Sequence, residues 1–442
     1  MKKKETVDSF NDFNDQQVGV DHDILLDWDE RDLSNELIDA GKKSPGVDKP
    51  MLVITLVILL IGVIMVLSAS YARGFYMQSD PLRLFSRQFI FAVTGVFLMF
   101  ITSRVSVRTI SRWSMQLLLV SIVLLVLVLF IGIRVNGARR WIGIGGENSS
   151  LTFQPSEIAK LALILAFAQM ICKLGKDRMK TFKFGVLPFA IITGIMIVLL
   201  RMEPHLSAII IVTALAAIMM FAGGTRLRWF IMAVTILVAM ICGFVFFQLR
   251  SVPEVEMNSI SIEIVRENLD LRSLGYEGRR ITAWLNPDAD PLHDGFQIRQ
   301  SLNAVGSGGL LGLGLGQSRQ KHLYLPEEHN DYIFAIVCEE LGFIGAMLIL
   351  LLFTLLIIRG YWLAINANDK FSSLITIGIT SLLAIQVFLN VAVVTNILPA
   401  TGISLPFFSY GGTALWIQLV QIGIILSVSR EIPLTKDKEK AK

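Results

Sequence analysis

The chain has 442 residues, 53% of them hydrophobic and 17% charged, and a formal net charge of +4. Soluble domains carry roughly 25% charged residues, and many windows here reach the ~20 apolar residues that cross a bilayer core. A soluble globular protein is excluded, an all-α polytopic membrane protein is expected, and the slight net charge marks no nucleic-acid partner.

Residues 1–50 are rich in Asp, Asn, Lys and Gln and read as an acidic, disordered cytoplasmic tail. Within it, Asp21 to Asp39 has loosely helical apolar spacing and reads either as a short docking helix or as solvated tail. No early apolar core or small-residue cleavage site opens the chain, so no cleaved signal peptide is expected. The first span, from Met51, would act as its own insertion signal.

Ten apolar stretches follow, starting near Met51, Phe85, Ser114, Gln154, Phe184, Leu206, Trp229, Tyr332, Phe371 and Phe407. Basic segments follow every second one: SRVSVRTISR, KLGKDRMKTFK, GGTRLRW, RGYWLAINANDK and SREIPLTKDKEKAK. All fall on one side if both termini are cytoplasmic, as the positive-inside rule asks. The expected organisation is a ten-helix domain over 51–430 and a basic tail over 431–442, in the cytoplasmic membrane. Two outer loops are long: Ile133 to Phe153, and a large extracellular loop over 250–330 between the seventh and eighth helices. The first part of the latter, from Ser251 to Gly278, is polar and amphipathic and reads as a surface helix.

The three cysteines, Cys172, Cys242 and Cys338, lie in or beside apolar segments without metal-ligand spacing and imply no disulfide framework. The outer side gathers Arg139, Arg140, Arg279, Arg280, Arg299, Arg319 and Lys321. Guanidinium suits bidentate contact with phosphate oxygens; as a set these residues favour an anionic ligand, while each alone also reads as solvated loop charge. The Gly-rich GSGGLLGLGLGQS, Gly306 to Ser318, could let backbone N–H groups approach a pyrophosphate, or be a flexible turn. Glu157 and Lys160 share one helix face within an apolar span: a self-neutralising ion pair, or groups facing a wet cavity. Ser409 and Tyr410, in the turn LPATGISLPFFSYGG, could donate to a sugar or phosphate.

Asp331 stands where LPEEHND runs into an apolar helix. It reads equally as the N-cap of that helix and as a proton acceptor whose partial burial at a membrane mouth raises its pKa. Glu339 and Glu340, inside the span, would pair with Lys160 or Arg140 or satisfy interior polar groups.

The segments QPSEIAKLA, the run from Arg279 to Gly345, and NVAVVTNILPATGISLPFFSYGGTALW resemble the SEDS family of bacterial cell-wall polymerases. The resemblance covers nearly everything from Met51 to Arg430, and GLGLGQSRQKHLYLPE is closer to the division branch (FtsW and SpoVE) than to RodA. It implies a peptidoglycan glycosyltransferase that polymerises lipid II at the division septum. Growing glycan would pass from polyprenyl diphosphate to the 4-hydroxyl of an incoming sugar, with inversion. It implies Asp331 as the catalytic residue. The substrate-binding set is then Trp141, Lys160, Glu157, Arg140, Arg280, Gln300, Ser301, Lys321, Glu340, Ser409 and Tyr410. No cofactor is certain, and the sequence leaves open a divalent cation, magnesium or manganese, bridging the diphosphate. The implied partners are lipid II, a class B penicillin-binding protein transpeptidase and other divisome proteins. A lipid II flippase and a non-catalytic divisome scaffold are the competing readings. One departure stands out: the family usually has PDLGT where this chain has PHLSA, so His205 replaces an aspartate.

Overall fold

The computed structural model describes residues 46–77, 80–135, 138–143, 152–235, 238–239, 276–287 and 294–432. Of the tail expected over 1–50, residues 1–45 lie outside them, and Lys49 and Pro50 already belong to the first helix; the surface helix expected from Ser251 to Gly278 lies outside them up to residue 275, as does the C-terminal tail beyond Ile432.

The elements in chain order are α1 (Lys49–Met77), α2 (Arg83–Thr102) and α3 (Val107–Ile131), then strands β1 (Ile133–Val135), β2 (Ala138–Gly143) and β3 (Thr152–Phe153). Next come α4 (Pro155–Met179), α5 (Phe182–Gly185), α6 (Leu187–Met202) and α7 (Leu206–Ala222). After a helical stretch at 227–235 follow α8 (Tyr276–Leu285), α9 (Asp294–Ser307), α10 (Ile333–Ile365), α11 (Lys370–Val394) and α12 (Gly412–Glu431). Among the described residues, eight helices are long and apolar enough to cross a bilayer, α5 and α6 counting as one, and α7 is a shorter apolar helix. The stretch expected from Trp229 is helical to residue 235, and its remainder lies mostly outside the described residues. The chain is a multi-pass membrane protein.

Two spans start elsewhere than hydropathy suggests. The third begins at Val107 rather than near Ser114, because Ser106 caps it by accepting from Thr109 N and its first turns carry Arg108 and Arg112. The last begins at Gly412 rather than Phe407, because Leu405 to Gly411 forms a turn in which Ser409 Oγ accepts from Leu405 N at 2.7 Å.

The centre of the bundle is α4, α11 and α12. Ala159 to Ala168 is buried without a break, and Leu374, Ile375, Ile379, Leu382, Leu419 and Ile422 are at most 1% exposed. With apolar lipid outside, what selects the interior is close packing and buried polar groups rather than hydrophobicity; Thr376, Gln386, Asn390, Gln418 and Gln421 are all inside.

Chain alternation sends two sets of connections to opposite ends. At one end, Asp48 pairs with Arg359 (3.1 and 2.5 Å), Asn368 donates to the Glu431 carbonyl, and Arg430 donates to the Ser103 carbonyl at 3.2 Å. At the other lie the sheet, the Glu203–His205 turn, α8, α9 and the stretches 308–332 and 395–411. The sheet has the order β1-β2-β3, antiparallel throughout, with Ile133 opposite Trp141 and Ile142 opposite Phe153. It was not expected; residues 133–153 read only as a loop.

The Gly-rich segment lies against a break in α10. At Gly342 the backbone leaves the helix (φ 67°, ψ −171°), which frees carbonyls on one side of the break and N–H groups on the other. Leu313 N and Gly314 N donate to the carbonyls of Glu339 and Glu340, both at 3.0 Å. Phe343 N and Ile344 N donate to those of Gly309 and Leu310 at 2.9 and 3.1 Å. Irregular backbone beside a span is tolerable only with such partners. The approach leaves no room for side chains: a Cβ on Gly342 would meet Gly312 N at 2.2 Å, and Gly312 itself has φ 78°. Gly312 therefore serves helix α10.

Candidate active site

The turn into α10 is built from short-range bonds. Leu325, fully buried, donates its N–H to the Gln320 carbonyl at 2.9 Å. Asn330 folds back on Glu327, its N–H to the backbone carbonyl at 3.0 Å and its Nδ2 to Oε2 at 2.5 Å. Three successive carbonyls are then held by three different partners. Tyr410 N donates to His329 O at 2.9 Å, Ser409 Oγ to Asn330 O at 2.8 Å, and Asn390 Nδ2 to Asp331 O at 2.8 Å. Asn390 also donates to Ile403 O at 2.7 Å, so one amide ties both stretches together. The backbone at Asp331 is thereby fixed from three sides.

The cap reading of Asp331 fails. The N-cap of α10 is Tyr332, and no side chain caps it. The Asp331 carboxylate is instead beside Gly402, where a Cβ would lie 3.2 Å from Oδ2 and 3.8 Å from Arg280 Nη1. Gly402 adopts φ 71°, so this approach needs glycine twice over. Arg280, on α8, is held there by donating to Ala400 O at 2.9 Å. Burial, then the charge of Glu327, raises the Asp331 carboxyl to about 6, and the positive charges of Arg280, His329 and Arg140 only partly offset them.

Beneath this turn, Glu328 is fully buried and accepts from Arg73 of α1, Nε at 2.8 Å and Nη2 at 2.9 Å. Burial alone would raise its carboxyl; the hydrogen bonds and charges of Arg73 and His329 outweigh that and hold it at about 2. The His329 ring lies 5.8 Å from that of Tyr410.

A second cluster surrounds Arg140 on β2. Its Nε donates to Glu203 O at 3.3 Å and its Nη2 to Pro204 O. Both Glu203 carboxyl oxygens and His205 Nδ1 are buried with no hydrogen-bond partner among the described residues. Burial pushes the Glu203 carboxyl up to about 8 against the pull of Arg140, so it is neutral at pH 7. Burial, then Arg140 and Lys160, push His205 well below its ordinary value, so it too is neutral. Lys160 and Glu157 form the buried ion pair that the sequence left open, at 2.8 Å.

The remaining candidates are spread more widely. Lys321 and Glu340 pair with each other at 2.9 Å, fully sequestered, with Ser68 Oγ 2.7 Å from both Glu340 oxygens. Glu339 accepts from Ser318 Oγ, Arg319 N and Gln320 N at 2.5, 3.0 and 3.3 Å. Neither glutamate is bonded to Lys160 or Arg140; both satisfy loop groups instead. Ser301 Oγ is buried and donates to Val394 O at 2.8 Å, and both functions of the Ser409 hydroxyl are engaged in the turn. Trp141 is half-buried on β2, and Gln300 lines an open recess beside α9. Asn390, Arg73, Gly402 and Glu203 were not nominated from the sequence. Asn390 and Arg73 carried a usable signal, a polar group inside an apolar span.

Among the described residues no group of three or more His, Cys, Asp and Glu side chains could hold a metal. The carboxylates facing the site, Asp331 and Glu327, stand among cations instead, so the donor set does not fit a divalent ion held by the protein alone. A half-buried proton acceptor flanked by guanidinium groups fits chemistry in which a hydroxyl loses a proton as an anionic group departs.

Residues 49–433 match the family model FTSW_RODA_SPOVE, described as cell cycle protein. The chain is 41% identical to stage V sporulation protein E of Bacillus subtilis (strain 168), over 88% of this chain and 98% of that one. It is 37% identical to a probable peptidoglycan glycosyltransferase FtsW of Geobacter sp. (strain M18), with the same coverage. Among solved structures it is similar to a chain of a peptidoglycan synthase complex studied for its coordination of polymerization and crosslinking (TM-score 0.67, 26% identity, 87% and 98% covered). It is also similar to the rod shape determining protein RodA of Thermus thermophilus (TM-score 0.60, 25% identity, 88% and 98% covered). The chain therefore belongs to the FtsW, RodA and SpoVE family of cell cycle proteins.

Proposed function

We propose that the chain is a peptidoglycan glycosyltransferase that polymerises lipid II into glycan strands at the outer face of the cytoplasmic membrane during cell division. The observation that carries this reading is Asp331: an acid with pKa about 6, backbone-clamped, facing Arg280 at the end of a bundle. Near pH 7 it is ionised yet basic enough to take a proton. The acceptor 4-hydroxyl attacks the donor's anomeric carbon, and its proton passes to Asp331. The bond from that carbon to the diphosphate breaks, and the diphosphate leaves with the electron pair. Arg140 and Arg280 supply the charge that stabilises it. Glu203 and His205, both neutral, add no charge of their own beside Arg140.

The orientation follows from charge. Arg104, Arg108, Lys176, Arg178, Arg226 and Arg228 lie at the end opposite Asp331, which supports a cytoplasmic assignment for that end and for both termini. The similarity to a chain of a synthase complex supports a class B penicillin-binding protein transpeptidase as partner, within a larger divisome at the septum. The test is polymerisation of fluorescent lipid II by purified protein in detergent, where no leaflets exist and a flippase has no assay. Strands resolved on a gel, and lost in Asp331→Asn, are expected. A folded wild-type protein that makes none, with the transpeptidase present, would refute the reading.

A further inference from the structure

A recess of about 740 Å³ opens between α9 and the loop that follows it, lined by Gln300, Gln317, Arg319, Gln320, His322 and Tyr324 among others. Its volume is within the roughly 300–1,000 Å³ of small-molecule sites, but its lining is not the usual apolar one. Among the described residues, three carboxamides, one guanidinium, one imidazole and one phenol face it, and no carboxylate does.

The platform is rigid. Glu339 and Glu340 of α10 accept from the backbone N–H groups of Ser318, Arg319 and Gln320 at 3.0–3.3 Å, which fixes the chain under those side chains. The His322 ring stands 6.0 Å from Tyr76 of α1 and ties the far wall to the bundle. Tyr324 is 59% exposed, so its ring is not spent on the core. The side-chain oxygen Oε1 of Gln320 is buried and has no partner among the described residues, an acceptor still in need of a donor.

Resting on the glycosyltransferase reading, we propose that this recess is a saccharide subsite that holds the glycan strand, distinct from the reacting centre at Asp331. Each carboxamide offers donors and an acceptor together, the pattern that hydroxyl and N-acetyl groups return. The exposed tyrosine offers a flat face to the C–H side of a pyranose ring, and Arg319 can meet a carboxylate carried by the strand. A diphosphate is a poorer fit: the nearby Lys321 is committed to Glu340 at 2.9 Å. A polymerase that keeps its strand bound between additions gains effective concentration from such a site. Its imprint is then strand length.

Gln317→Ala/Tyr324→Ala tests this in the full-length protein, at two exposed positions that leave the buried Glu339 and Glu340 bonds intact. The probe is a soluble peptidoglycan tetrasaccharide with no lipid or diphosphate, followed by saturation-transfer NMR in detergent. Wild type and Asp331→Asn should bind it alike, and the double variant at least about tenfold more weakly, a difference of about 1.4 kcal/mol. With lipid II, the double variant should make shorter strands for the same lipid II consumed. Unchanged affinity in the double variant, loss of binding in Asp331→Asn, or no binding by wild type would each overturn the subsite. A wild type that binds the tetrasaccharide yet never polymerises lipid II would overturn the glycosyltransferase reading instead and leave the subsite standing.

Discussion

Asp331→Asn exchanges one oxygen for an amide nitrogen at almost constant volume, so it removes a proton acceptor and little else. An amide does not take the proton, and losing a general base costs about 10²- to 10⁴-fold in rate. The fold should not suffer, because Asp331 caps nothing and the bond that holds it, from Asn390 Nδ2, goes to its backbone carbonyl. Stability should rise. The carboxyl stands at about 6 against an ordinary 3.8, so the folded state keeps its proton over a range where the unfolded chain has lost it. Wild-type stability therefore falls as the pH climbs from about 4 to about 6, and the deficit persists above that. Asn carries no such deficit. With the group half-buried, the gain at pH 7 is discounted to on the order of 1 kcal/mol. The assay pairs lipid II polymerisation with thermal unfolding in the same detergent, across pH 5–8. Wild-type turnover should drop about tenfold per pH unit below 6, and the variant should be near-inactive throughout yet unfold no earlier. A folded Asp331→Asn that keeps more than about a tenth of the wild-type rate would show that the base lies elsewhere.

Glu203→Gln should be more stable than wild type near pH 7 and should lack the decline in wild-type stability between about pH 5 and 8, since a carboxyl raised to about 8 resists the ionisation that the unfolded chain undergoes; identical unfolding curves across that range would contradict this. Arg73→Ala strands the buried Glu328 carboxylate and should cost about 3–5 kcal/mol, read as a large fall in unfolding temperature. The wild-type pair stabilises above the ordinary carboxylate value of 4.5, and that contribution should fade as the pH drops toward 2. Gly342→Ala forces a side chain into Gly312 at a left-handed φ and should destabilise by at least about 1–3 kcal/mol, with Gly312→Ala behaving alike.

Most spans could be read from the sequence because a bilayer accepts few other patterns, and eight long helices stand where apolar runs were. Asp331 was legible as a choice between cap and base; only the backbone, with Tyr332 in the cap position, decides it. The sheet was not legible, since its strands are two to six residues long, too short for a period of two to register. The contact of the Gly-rich loop with α10 was not legible for a physical reason. Glycines that admit a phosphate and glycines that admit another backbone look identical in one dimension, and the helix break they fill is thirty residues away in sequence, at Gly342. Arg73 and Glu328 are 255 positions apart and share no local pattern.

The interruption at Gly342 has a mechanical consequence. Helices transmit bending through an unbroken ladder of backbone bonds, and α10 has none across that point. Its short upper segment is moored to the loop and, through the turn before it, to α1, α11 and the start of α12, while the long lower segment from Phe343 to Ile365 has partners of its own, Arg359 pairing with Asp48 and Tyr361 with Ser381 of α11. Changes of tilt forced by membrane thickness would then be absorbed at the joint, like a gimbal that keeps an instrument level, and the carboxylate at Asp331 would keep its aim. Turnover in vesicles of graded acyl-chain length should accordingly stay nearly flat, and a steep dependence on thickness would show that the joint is stiff.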